Sequence, residues 1–272
     1  MDKESYFINL FNNKFIGDDA CVIDNYVYSQ DAFFEDVHFK REWMRLDDIG
    51  EKAMLVNISD ALAMNAKPLY ALLTVSMPKN ITPYEMEILS DGLKRAAERY
   101  GVKIVGGDTV SGPKLDISIT IISESKNPIF RKGIKEGNLI AYTGKLGTVK
   151  KDLGRLQRGF KIPRSSKFIK PVLRDSFMKK AAKYMNAAMD ISDGLFHDLE
   201  KLSRANRMGF EFFEKIPKAI GCSGEEFELL FAFDKKYLPV IMGISKKTRT
   251  PLTVFAKAAR KSYKNRCRPH HF

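Results

Sequence analysis

Asn57-Ile58-Ser59-Asp60-Ala61-Leu62-Ala63-Met64 closes a helical stretch that opens near Ile49. Ala53, Val56, Ala63 and Met64 mark its apolar stripe. Asp60 stands four residues after Val56 and four before Met64, so its carboxylate falls on that stripe. A carboxylate there is costly unless it is paired, hydrogen-bonded or set against a cation. A salt-bridged or capping aspartate is the competing explanation.

Other acids sit at similar places. Gly17-Asp18-Asp19 reads as a turn, because Asp binds its own backbone there. Ser29-Gln30-Asp31 ends a strand predicted over Tyr26–Asp31. Gly106-Gly107-Asp108-Thr109 follows a short strand, Val102–Val105. Paired glycines let a backbone approach phosphate, although a glycine-rich hairpin explains the fragment equally well. Asp190-Ile191-Ser192-Asp193-Gly194-Leu195 ends the apolar strand Ala187–Ile191 and opens a helix from about Asp193 to Asn206. Ser192 or Asp193 can cap that helix, and the same geometry offers a phosphate or metal site. Asp190 has no capping role to explain it.

Around these motifs the pattern alternates. Strands are expected at Leu69–Met77 and at Leu115–Ser123, where Ile117, Ile119 and Ile121 alternate with polar residues. Thr82-Pro83-Tyr84-Glu85 is a capping box with Pro at the first helical position, and Gly101 is the stop. Further strands are expected at Leu139–Thr143, Phe227–Phe233 and Leu252–Phe255, with a helix at Lys236–Ser245. Residues 124–138 read as a boundary, dividing the chain into 1–130 and 131–272.

The net charge of +13 is local. Residues 126–180 hold 16 Lys/Arg against three acids, residues 246–272 hold nine and no acid, and the remainder is at −9. Such segments attract nucleic acid, anionic membrane or polyphosphate. No stretch has the roughly 20 apolar residues of a membrane helix. The N-terminus lacks a signal-peptide pattern. Cys21, Cys222 and Cys267 have no ligand spacing and read as reduced thiols of a cytoplasmic protein.

Walker, protein-kinase, zinc and Gly-x-Ser-x-Gly patterns are absent. Hard oxygen ligands without His or Cys favour Mg²⁺. Carboxylates around Mg²⁺ beside a basic segment are what phosphoryl transfer requires.

In order and spacing, eight fragments resemble the thiamine-monophosphate kinase family. It is part of the ATP-binding superfamily that includes aminoimidazole ribonucleotide synthetase and selenophosphate synthetase. The fragments are Gly17–Ala20, Ser29–Asp31, Glu35–Phe39, Asn57–Met64, Gly106–Thr109, Thr143–Gly147, Asp190–Leu195 and Ser223–Leu230. Glu35–Phe39 and Ser223–Leu230 point to the thiamine-phosphate branch.

The resemblance implies a two-domain α/β (α+β) fold of the aminoimidazole ribonucleotide synthetase type. The N-terminal sheets of two copies would pair into a barrel, so a homodimer is implied. It also implies several Mg²⁺ ions held by Asp19, Ser29, Gln30, Asp31, Asp60, Asp108, Asp190 and Asp193. ATP would contact Tyr100, Gly107, Asp108, Arg131 and Ser192, while His38 and Glu225 would face thiamine monophosphate. Asp60, Asp108 and Asp190 would carry the catalysis, an in-line transfer of the ATP γ-phosphoryl group giving thiamine diphosphate.

Four departures stand out. Asn65 replaces a Gly, which an αL conformation accommodates. Glu225-Glu226 replaces Glu-Asp, and the segment after Gly147 is short and basic. The C-terminal end carries no Trp to stack on a thiamine ring, leaving Tyr263 and Phe272. Competing readings are a superfamily enzyme acting on another phosphorylated acceptor, and a basic nucleic-acid-binding protein. The basic segments lack the aromatic interleaving and helix-turn-helix that the second would show.

Overall fold

The helix that carries Asp60, α2, runs from Leu46 to Ala63 and touches strands of two five-stranded sheets in the computed structural model, which describes residues 3–11 and 13–267. Before it come α1 (Lys3–Asn9), β1 (Cys21–Ile23) and β2 (Tyr26–Phe34). After it follow β3 (Lys67–Pro78), α3 (Pro83–Tyr100), β4 (Lys103–Gly112) and β5 (Asp116–Glu124). These strands form a mixed sheet ordered β1-β2-β5-β3-β4, in which only β3 and β4 pair in parallel.

The second half supplies β6 (Leu139–Thr143), α4 (Thr148–Leu156), α5 (Asp175–Ala181), β7 (Met185–Asp190) and α6 (Leu195–Asn206). It continues with β8 (Gly209–Phe212), α7 (Lys218–Gly221), β9 (Leu229–Phe233), α8 (Leu238–Lys247) and β10 (Leu252–Ala259). Its sheet, ordered β7-β9-β6-β10-β8, is antiparallel throughout. The fold is a two-domain α/β arrangement. Among the described residues no helix is long and apolar enough to cross a membrane.

Alternation in β5 aims Ile117, Ile119 and Ile121 at α2, where all three are fully buried. The expected single stripe on α2 proves too narrow. From Asp47 to Ala63 every residue is buried except Asp60. The reason is tertiary. Val56 and Ile58 pack in the first-sheet core, while Ala63 joins the core around Leu139, Phe177 and Phe231 in the second. A helix enclosed by two domains is apolar or paired all round.

Close approach of α2 and α3 depends on glycine. A Cβ on Gly92 would lie 2.0 Å from the Asp47 carbonyl oxygen, and one on Gly50 would lie 2.3 Å from that of Leu89. The capping box of α3 forms as expected. The Glu85 amide donates to Thr82 Oγ1, the Thr82 amide donates to Glu85 Oε2, and Gly101 ends the helix in αL. Asn65 adopts φ 55°, the left-handed conformation its place requires.

Three expectations change. Gly106–Thr109 is not a loop after a strand but part of β4, and Ser29–Asp31 lies within β2 rather than at its end. Glycine at 107 is steric, since a Cβ there would meet the Leu73 carbonyl oxygen of β3 at 1.7 Å. Cys222 and Cys267 form a disulfide, so the reading of all three cysteines as reduced thiols is wrong for this pair; Cys21 is free. Partners 45 residues apart are joined only by the folded path of the chain.

Gly92→Ala should lower the unfolding free energy by about 3 kcal/mol, read from a urea titration, because a backbone carbonyl and not a flexible side chain blocks the new methyl. An unchanged midpoint would show that the two helices can part without cost.

Candidate active site

Asp60 opens onto a cavity of about 260 Å³. Asp18 and Asp19 come to it from the turn before β1, Asp31 from β2, and Asp190 from the end of β7. Gln30, His38, Arg131, Ser192, Asp193, Lys201 and Glu225 complete its polar wall. Ser29 lies beneath this wall, donating from Oγ to the Asn57 carbonyl at 3.3 Å. Asn57, itself buried in α2, accepts the Asp31 amide at 2.7 Å and so ties β2 to the helix.

Arg131 joins the two domains at this point. Its amide donates to Asp18 Oδ1 at 2.6 Å, and its Nε donates to Asp19 Oδ1 at 2.9 Å. Asn206 of α6 holds its carbonyl at 2.8 Å. Burial opposes the Arg131 charge, but Asp19, with Asp198 and Asp18, more than offsets this and keeps the guanidinium protonated. Across the cavity the acids repel one another. Burial, then Asp31, Asp190 and Asp19, raise the Asp60 carboxyl well above the ordinary range. Asp190 is raised by burial and by Asp19, against the Ser59 hydroxyl that donates to it at 2.6 Å.

Neither Ser192 nor Asp193 caps α6. Its N-cap is Gly194, at φ 103°, with no side-chain cap. Both residues therefore face the cavity, and Asp193 Oδ2 accepts from Lys201 Nζ at 2.5 Å. Lys201 also lies 3.1 Å from buried Asp198, whose carboxyl burial pushes up to about 7 against the pull of that lysine.

Opposite, residues 223–227 carry Glu225 in a left-handed backbone (φ 54°), with Phe227 at φ 49°. Such conformations in non-glycine residues persist where surroundings hold them. Here the Glu225 amide donates to the Ser192 carbonyl at 2.6 Å and the Phe227 amide to that of Ile191 at 2.9 Å. Fully buried Lys52 donates to Glu225 Oε2 at 2.6 Å. Glu226 points elsewhere, accepting from the Gly147 amide, Ser223 Oγ and Lys167 Nζ. His38 Nδ1 accepts the Phe34 amide at 3.0 Å, which leaves the proton of a neutral ring on Nε2.

A larger cavity of about 910 Å³ shares His38, Ser192, Asp193 and Glu225 with the first. Besides Ser29, three expected residues belong to neither. Gly107 and Asp108 are exposed on β4, where Asp108 Oδ1 accepts its own neighbour's amide. Tyr100 lines a separate cavity with Arg99 and Arg174. Tyr263 stacks on Phe212 and donates to the Phe196 carbonyl, away from the site, and Phe272 lies outside the described residues.

Sequence reasoning passed over three residues: Trp43 and Lys201, which line the cavities, and Lys52, which holds Glu225. The one available signal was Lys52, a lysine within the buried run of α2.

Among the described residues no three His, Cys, Asp or Glu side chains close on one point as a preformed metal cage. The donor set nonetheless suits Mg²⁺. It is all carboxylate oxygen and mutually repelling, and Mg²⁺ in nucleotide sites takes one or two carboxylates plus substrate phosphates.

Residues 17–124 match the family model "AIR synthase related protein, N-terminal domain". The thiamine-monophosphate kinase of Rhodopirellula baltica is 36% identical over 251 residues, 79% of this chain and 74% of that protein. The chain belongs to the thiamine-monophosphate kinase family. The Pyrococcus horikoshii enzyme is 31% identical over 255 residues, 85% of this chain and 81% of its own. Among solved structures, AaThiL complexed with AMPPCP and TMP is 25% identical with a TM-score of 0.85, covering 96% of this chain and 90% of that one. Thiamine monophosphate kinase from Aquifex aeolicus gives 26% and 0.81, covering 95% of each.

Arg131→Met would leave the almost fully buried Asp19 carboxylate without its partner. Chemical denaturation should then show a loss of about 3–5 kcal/mol, partly recovered by millimolar Mg²⁺. A variant as stable as the wild type would mean that the pair does not hold the domains together.

Proposed function

We propose that this chain transfers the γ-phosphoryl group of ATP to the phosphate of thiamine monophosphate, yielding thiamine diphosphate and ADP. The observation that carries this is the continuity of an acid-lined cavity with a larger one at His38 and Glu225, in a chain of this family. An acceptor phosphate oxygen forms the new bond as the bond to the ADP oxygen breaks. The acceptor is already anionic, so no general base is needed, and none is evident. What remains is positioning and charge.

His38 Nε2–H can donate to the acceptor phosphate, and Glu225, held by Lys52, fixes one wall of its pocket. Ser192 and Asp193 stand where the two cavities meet. Mg²⁺ would be held by Asp19, Asp31, Asp60 and Asp190, and would neutralise polyphosphate charge there. We place the domain boundary at 130/131, since Arg131 is bound from both sides.

The homodimer gains support from β4. It is an edge strand exposed along nearly its whole length, with Ile104, Val105 and Val110 in the open beside Tyr70 and Leu72 of β3. Such edges are templates for pairing. In this reading a second copy on this sheet brings its own Gly107 and Asp108 towards the first copy's cavity.

Purified protein with MgATP should convert thiamine monophosphate to the diphosphate, and EDTA should stop it. Turnover only with another phosphorylated acceptor would overturn the substrate while keeping the reaction class. Asp190→Asn should lower kcat by at least about 100-fold with the fold retained.

Asp108→Asn should be similarly inactive. Mixing the two variants after dissociation should restore up to about a quarter of wild-type activity, because one site in each mixed dimer is intact. No restoration would place Asp108 and Asp190 in the same copy's site.

A further inference from the structure

The larger cavity shares Asp193 and Glu225 with the first and adds Asp36 and Glu42, and its carbocyclic aromatic walls are Phe39, Trp43 and Phe168. Two of these are already engaged. Phe39 stacks on Phe33 at 4.7 Å, Lys52 Nζ lies 4.3 Å above Phe168, and both rings are buried. Trp43, the chain's one tryptophan, is half-buried. It meets Phe168 edge-on at 6.2 Å and carries the Lys40 ammonium 5.4 Å from its ring centroid. The Trp43 amide donates to the Lys40 carbonyl at 2.9 Å, so one tight turn sets both side chains. Lys40 is exposed and lines the same cavity. The indole thus already holds a cation, on an exposed and displaceable lysine that lines the same cavity.

We propose that Trp43 is the residue that recognises the acceptor's cationic ring, its indole face taking the thiazolium in place of the Lys40 ammonium. This rests on thiamine monophosphate being the acceptor. With the acceptor phosphate at the junction marked by His38, Ser192 and Glu225, the rest of the molecule extends into the part of the cavity that Trp43 lines. A quaternary thiazolium nitrogen has no N–H to donate and cannot shed its charge. It cannot be read by hydrogen bonding; a carboxylate such as Glu42 can add attraction at range, but an electron-rich aromatic face takes the flat cationic ring directly.

Since Trp43 is the only indole, its emission reports on this position alone. Thiamine monophosphate should quench it, and the neutral thiazole phosphate, which lacks the quaternary nitrogen, should quench it far less. W43L should raise KM for thiamine monophosphate roughly tenfold, with W43F between it and the wild type, while KM for ATP moves less than about twofold. Equal quenching by the two ligands, or an unchanged KM in W43L, would overturn the proposal while wild-type turnover still upheld the acceptor. Failure of the wild type to use thiamine monophosphate would overturn the acceptor reading and this inference with it.

Discussion

Enclosing α2 on every side forces a charge problem that the rest of the chain answers. The helix carries Asp47, Asp48, Glu51 and Lys52 into burial. Each needs an opposite charge, since an isolated buried ion costs several kcal/mol. Arg95 and Arg99 of α3 reach Glu51, and Arg164 reaches both Asp47 and Asp48. Lys170 lies 3.6 Å from Asp48 and 3.4 Å from Glu51. Further on, Lys167 and Arg174 pair with fully buried Glu228. The basic segment is thus in part an internal counter-charge. Arg131, Arg164, Lys167, Lys170 and Arg174 are spent on the body of the protein.

Pairs of this kind add little net stability compared with apolar packing, but they admit only one arrangement. Partners on α2 come from both halves of the chain, so satisfying them sets the angle at which the domains meet. That angle is what the site needs. Asp31 and Asp60 belong to the first sheet and its helix, Asp190 and Ser192 to the second, and the cavity exists only where both contribute.

Legibility followed the range of the interaction that shapes each element. Strand β5 and helix α3 could be read because their signals, alternating isoleucines and a capping box, lie within a few residues. Helix α4 could not, since Val149, Leu153 and Leu156 are spaced for a helix but sit among Lys150, Lys151 and Arg155 in a short stretch without a side-chain cap. Strand β4 was cut short because glycine disfavours strands in isolation, while here contact with β3 demands it. In the site, the acids ending a strand or facing a core were visible as anomalies. Lys52 and the Cys222–Cys267 bond were not, because the ion pair spans 173 residues and the bond spans 45.

The acids of α2 and those of the cavity differ in one respect that bears on chemistry. Asp47, Asp48 and Glu51 each have arginine or lysine partners, whereas among the described residues no such side chain forms an ion pair with Asp60 or Asp190. Their carboxyls are driven up by burial and by one another, so the folded chain holds them at a cost. A protein selected for stability alone would replace or pair them. A cation arriving during function would relieve the repulsion, and its binding would then add to the stability of the folded state by linkage. The same repulsion would disfavour entry of a bare polyphosphate. Nucleotide would therefore enter with its counter-ions, and the joined state of the two domains would be firmest when the site is filled.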